Sequence, residues 1–252
     1  MYTQCPKCGH QPLPANQALP AACPACGVIL AKVGQKPPVR RPQSEALDHD
    51  ADDAVQDGLE REEWLDRLTE VPDTISTATF WMHGLLWAAF CVWGVSLIAL
   101  DYRDGAMMAA FLHRPLLIFH EAGHIIFMPF GEWVTVLGGT LGQLLMPLVL
   151  AGALLLTNRD PFGAAIGLWF LGVSLLDVAP YMYDALHPQL TLLNGQTGEE
   201  GGHDWIYLFA SMGLLAKAPL IGGLTHKLGA LVIVGALAWA GWLLRLQYAR
   251  RV

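Results

Sequence analysis

The residues with the most evident chemistry are His120-Glu121-Ala122-Gly123-His124. On a helix, His120 and His124 fall one turn apart on one face. Two imidazoles at that spacing can bind one zinc, and Glu121 between them can serve as general base for a metal-activated water. The string lies in an apolar run, with Leu116 to Phe119 before it and Ile125 to Met128 after it. In such a segment each ionisable group costs about 2.5–3.5 kcal/mol on insertion scales unless it has a partner. A metal supplies that partner.

A catalytic zinc takes three protein ligands and leaves its fourth position to water. Asp177 is the leading third ligand, because its apolar segment holds no other acid and an unpaired carboxylate there is costly. His203 and Asp204, in Gly202-His203-Asp204-Trp205, are the alternatives. Groups not used as ligands can accept the second ring N–H of the histidines and orient them. Asp184 reads as a loop carboxylate. His83, His113, His187 and His226 lack ligand-like spacing and read as structural or solvated.

A second constellation is Cys5-Pro6-Lys7-Cys8-Gly9 with Cys23-Pro24-Ala25-Cys26-Gly27. Two Cys-x-x-Cys knuckles at this separation read as a four-thiolate structural zinc site. The glycine after each pair lets the chain turn so that backbone N–H groups can face sulfur. Thiolates persist best in a reducing compartment, which predicts a cytoplasmic N-terminus. Cys91 sits in apolar sequence and reads as packing.

The elements that must position these groups follow from composition. The chain has 252 residues, 54% hydrophobic and 15% charged, with mean hydropathy +0.38. Soluble domains average about 25% charged. The excess begins abruptly near Phe80, so the chain reads as a membrane domain with a polar appendage. The predicted organisation is a zinc ribbon over 1–32, an acidic, proline-bearing linker over 33–57, an amphipathic helix over 58–72 and a transmembrane domain over 73–252. In the helix, Trp64, Leu65, Leu68 and Val71 share one face; its acidity favours docking on protein over binding anionic lipid.

Apolar runs of about 20 residues mark membrane spans. They fall at 77–100, 115–130 with the histidine motif, 134–156, 162–179 and 228–244. The stretch 205–224 is apolar but interrupted by Lys217, Pro219 and Gly222-Gly223. The expected fold is therefore all-α and polytopic, with five or six transmembrane helices and a small N-terminal zinc ribbon. Nothing at the N-terminus reads as a cleavable signal. Six spans put Arg245, Arg250 and Arg251 on the same side as Arg40 and Arg41, which agrees with the positive-inside rule. The expected location is the inner (plasma) membrane, multi-pass.

Glu132 to Thr140 carries β-branched residues followed by Gly138-Gly139. One reading is the start of the third span, with Gly138 and Gly142 at a helix contact. The other is a strand edge in which Val134, Val136, Gly138 and Gly139 bind an unwound substrate by strand addition.

Taken together, His-Glu-x-x-His in a membrane helix and an aspartate in a later one resemble the site-2 protease family of intramembrane zinc metalloproteases. The likeness covers the membrane domain only. It implies His120, His124 and Asp177 as ligands and Glu121 as base. Where the family has glycine after the aspartate and asparagine ahead of it, this chain has Val178 and no nearby asparagine. It looks like a divergent bacterial branch with an N-terminal ribbon.

The predicted function is zinc-dependent hydrolysis of peptide bonds in membrane-associated protein substrates, with one catalytic and one structural zinc. A non-catalytic membrane adaptor is the alternative, its buried metal closed by four protein ligands and its ribbon recruiting a protein partner. A metal transporter is a weaker reading, since no paired discontinuous repeats are evident. Nucleic acid is not an expected partner: Lys7 is the only Lys or Arg between Met1 and Leu30, and the net charge is −7.

Overall fold

The computed structural model describes residues 2–18, 21–33, 66–193 and 195–252. The chain divides into two compact units, Met1–Leu59 and Glu60–Val252. Most of the predicted linker, including Asp57, and Glu60, Trp64 and Leu65 of the predicted amphipathic helix, lie outside the described residues.

In the first unit, the two cysteine knuckles fold alike. Gly9 N–H donates to Cys5 O and Gly27 N–H to Cys23 O, each at 2.8 Å, and both glycines have φ near +70° (73° and 72°). That left-handed turn is where glycine is needed. The sulfurs are not bonded to each other. Cys5 and Cys26 are 3.7 Å apart, Cys8 and Cys23 3.8 Å. A tetrahedron with Zn–S bonds of about 2.3 Å has edges of about 3.8 Å, so the four thiols have the spacing to hold one metal ion. Cys5, Cys23 and Leu30 form a minimal core, too small to fold on apolar burial alone.

The second unit is helical; among its described residues there are only isolated bridges and no strand. Residues 66–69 are helical, and the helices that follow are α1 (Thr77–Ile98), α2 (His113–Phe127), α3 (Glu132–Leu156), α4 (Pro161–Asp184), α5 (Asp204–Ser211) and α6 (Ala218–Ala249). Caps fix two of the starts: Ser76 Oγ accepts Thr79 N–H at 3.1 Å, and Asp160 Oδ1 accepts Gly163 N–H at 2.9 Å. Four helices are long and apolar enough to cross a membrane: Thr77–Ile98, Glu132–Leu156, Pro161–Asp184 and Leu215–Ala249.

The sequence-based count of five or six differs from this at two places. The motif helix α2 has 15 residues, roughly 22 Å at 1.5 Å per residue, against a hydrocarbon core of about 30 Å. The stretch 205–224 does not form its own span. It contributes α5 and the start of α6, which runs through Gly222-Gly223 unbroken. Those glycines are packing surfaces: a Cβ on Gly222 would lie 2.8 Å from the Ala179 carbonyl oxygen, and one on Gly229 2.8 Å from that of Gly172.

These contacts run α6 antiparallel to α4, the buried centre of the unit. Trp169, Val173 and Leu176 of α4 are enclosed by Leu97, Leu112, Leu116 and Ile233. The outward faces are apolar: Leu85, Val92, Val149 and Leu231 are all exposed, as a lipid-facing surface requires. Trp239 Nε1–H donates to Leu68 O at 2.9 Å and Val71 is buried, so this part of the predicted amphipathic segment docks on the helices. The segment just before α1 and the segment just after α6 are joined. Ile75 N–H donates to Arg250 O and Val252 N–H to Ile75 O, both at 3.0 Å, and Thr77 N–H to Val252 O at 3.1 Å. The beginning of α1 and the end of α6 therefore share one end of the bundle. The last turns of α4, with α2 and α5, form the other.

Candidate functional site

Thr135, Gly139 and Gln143 recur every four residues along α3 and so share a face. His113, His120 and His124 share a face of α2, which crosses α3 in close contact. Gly123 permits the approach: a Cβ there would collide with the Gly138 carbonyl oxygen. A Cβ on Gly138 would meet Phe127 Cβ at 2.7 Å. Bilayer-compatible helices approach this closely through small residues.

The crossing fixes both imidazoles. His124 Nδ1–H donates to the Thr135 carbonyl at 2.8 Å. His120 Nδ1 faces Gln143 Oε1 at 3.3 Å, while Gln143 Nε2–H donates to Asp177 Oδ2 at 2.7 Å. The other Asp177 oxygen is 2.9 Å from His113 Nδ1. A backbone carbonyl only accepts, and the Gln143 amide is oriented by its bond to Asp177, so each Nδ1 carries the proton and each Nε2 presents a lone pair. The two rings stand 4.9 Å apart, and both Nε2 atoms point at one carboxylate. Asp204 Oδ2 is 2.9 Å from His120 Nε2 and 3.3 Å from His124 Nε2.

Asp204, one of the alternatives, therefore joins the histidine pair; Asp177 does not. Its two oxygens are taken by Gln143 and His113, and it acts on His120 through Gln143. His203 is also apart from the pair. Its Nδ1 accepts Ile206 N–H at 3.4 Å as the cap of α5, its Nε2 lies 3.4 Å from Asp184 Oδ2, and its ring stacks on Tyr181 at 4.2 Å. Asp184 is buried rather than a solvated loop residue, and its Oδ1 accepts the N–H groups of Gln189 and Leu190.

The strand-edge reading of residues 132–140 is corrected. Val134, Val136, Gly138 and Gly139 lie within α3, where backbone N–H and C=O groups are paired along the helix and cannot accept an added strand. Gly139 nevertheless borders the site. A Cβ there would fall 2.5 Å from His124 Nε2 and 2.6 Å from His120 Nε2.

With both Nδ1 protons committed elsewhere, three electron-rich atoms converge on one point. A cation, or a proton on one imidazole, must lie among them. The N–O edges of a tetrahedron with ligand distances of 2.0–2.1 Å are about 3.3 Å, which matches the His124–Asp204 distance and is about 0.4 Å longer than the His120–Asp204 distance. Burial pushes the Asp204 carboxyl upward, but hydrogen bonds and positive charge from protonated His120 and His124 outweigh this and hold it below the ordinary carboxylate range; a metal cation in the proton's place acts in the same direction. It is therefore anionic at neutral pH, the form a metal requires. The group opens on a cavity of about 320 Å³ that Glu121, Tyr181, Leu117 and Leu190 help to line. Glu121 is exposed there.

Residue spacing alone did not single out Gln143, His113 or Tyr181. The signals were the stripe from Thr135 through Gly139 to Gln143, and His113 two turns ahead of His120. Gln143→Leu removes the acceptor for His120 Nδ1 and leaves Asp177 with one partner. It is expected to weaken metal binding at the histidine pair about 10- to 100-fold without unfolding the helices; titration against a competing chelator measures this, and unchanged affinity rejects the orienting role.

Compared with known proteins, the chain matches no family model, no curated protein and no solved structure.

Proposed function

We propose that the chain is a membrane-embedded zinc metallopeptidase, similar in plan to site-2 proteases, that hydrolyses peptide bonds of membrane-associated proteins. One observation carries the reading: two imidazole Nε2 atoms and the Asp204 carboxylate converge beside Glu121 on an open cavity. His120, His124 and Asp204 would hold the ion. A bound zinc supplies charge that polarises a carbonyl and lowers the pKa of a water toward about 7. Glu121 takes a proton from that water as its oxygen bonds to the carbonyl carbon. The C–N bond then breaks, and Glu121 returns the proton to the departing amine.

The adaptor reading needs a closed, four-ligand site. Among the described residues the cluster has three members, and their shared cavity supports the open, catalytic form. In this proposal the cysteine cluster is a structural zinc ribbon in the cytoplasm, available to a protein partner, and the four apolar helices hold the enzyme in the inner membrane.

Metal removal tests the reading. Detergent-purified protein is expected to carry two zinc ions per chain and to cleave an internally quenched peptide of apolar sequence. Treatment with 1,10-phenanthroline abolishes cleavage, and added zinc restores it. Cleavage that persists in metal-free protein refutes the assignment.

A further inference from the structure

Tyr181 is one helical turn beyond Asp177 on α4, so both face α2. Its hydroxyl oxygen accepts the backbone N–H of Asp204 at 3.0 Å. Asp204 is also the residue whose carboxylate meets the two histidines. The ring is held on two sides: it stacks on His203, with centroids 4.2 Å apart, and stands edge-on to His120 at 6.0 Å. His203 is itself held by its cap to α5, with Asp184 Oδ2 3.4 Å from its Nε2.

A tyrosine hydroxyl is one donor and one acceptor. Here the acceptor role is used inside the protein. Among the described residues no group takes the proton, and Tyr181 lines the same cavity as Glu121. A phenol clamped in this way would be a superfluous cap for one N–H, since serine, asparagine or aspartate does that work with fewer atoms. It is, however, well built to present an O–H donor to a ligand beside the metal ligands.

We propose that Tyr181 is a catalytic residue that stabilises the oxyanion of the tetrahedral intermediate; this rests on the peptidase reading above. When the water oxygen bonds to the carbonyl carbon, the π electrons move onto the carbonyl oxygen, and the water's proton goes to Glu121. The Tyr181 O–H donates a hydrogen bond to that oxygen and keeps its own proton. On collapse the C=O bond re-forms, the C–N bond breaks, and Glu121 protonates the amine. The donor is preorganised: its oxygen is tied to Asp204 and its ring is packed, so little reorganisation is needed as charge develops.

The probe is a peptide phosphinate with leucine and alanine side chains, whose anionic tetrahedral oxygens stand where the intermediate's would. Wild type binds it, and Tyr181→Phe, which keeps the stacked ring, binds about 100-fold more weakly with unchanged metal content; losing one oxyanion donor costs about 10²–10³ in other enzymes. Placing 3-fluorotyrosine at position 181, a near-isosteric and stronger donor, retains the affinity and covers the case in which Tyr181→Phe fails to fold. Equal binding by wild type and Tyr181→Phe overturns the role of Tyr181 and leaves the peptidase reading standing. Loss of metal in Tyr181→Phe overturns it too, since the hydroxyl then only positions Asp204. A metal-loaded wild type that ignores the phosphinate sinks both.

Discussion

Glu121→Gln is expected to stop peptide hydrolysis while metal content, helix content and thermal stability stay as in wild type. The side chain is exposed within the cavity, so the isosteric amide has no packing to disturb. An amide cannot accept a proton from water. General bases contribute about 10²–10⁴-fold, and the same group also returns the proton to the amine, so the loss should be at least about 10³-fold in kcat. His120 and His124 keep their partners, Gln143 and Thr135, so the ion stays. Turnover within tenfold of wild type removes Glu121 from the chemistry.

Gly139→Ala is expected to empty the histidine site without touching the ribbon, taking zinc from two ions per chain to one. The reason is spatial. The added methyl would sit 2.5 and 2.6 Å from the two Nε2 atoms, on the side from which the ion is gripped. Neither ring can retreat and keep its Nδ1 bond. Gly152→Ala and Gly235→Ala are the controls: a Cβ at either meets nothing within 4 Å, and alanine favours a helix interior by about 1 kcal/mol over glycine. Metal analysis of the three variants decides the matter; two zincs in Gly139→Ala would show that the site has more room than its geometry implies.

The histidine pair, the cysteine knuckles and the helical character were legible because each depends on spacing within a short segment. The third member of the histidine cluster was not. Asp177 and Asp204 are both carboxylates in apolar surroundings, and the cost of burying either says only that it has a partner. Which partner is decided by the crossing of α2, α3 and α4. Asp177 is satisfied by His113 and Gln143, one a residue with no ligand-like spacing and the other a neutral amide.

The β-branched run around Val134 and Val136 left two readings open for a related reason. Strand propensity is weak and depends on context, whereas in a nonpolar environment a helix satisfies every backbone group within its own segment. Gly138-Gly139 reads equally as a turn or as a contact. Only the neighbouring Gly123 and the two imidazole rings select the second. The span count is least legible where hydropathy is blind to length, at α2, and where glycines that pack against α4 look like breaks, at Gly222-Gly223.

The hydrogen-bonded pairing of Ile75 with Arg250 and Val252 has a practical corollary. With the helices in a bilayer, Ile75 and Val252 lie on one side, and the histidine cavity opens toward the other. A reporter fused after Val252 would therefore lie across the membrane from the cavity that His120 and His124 line.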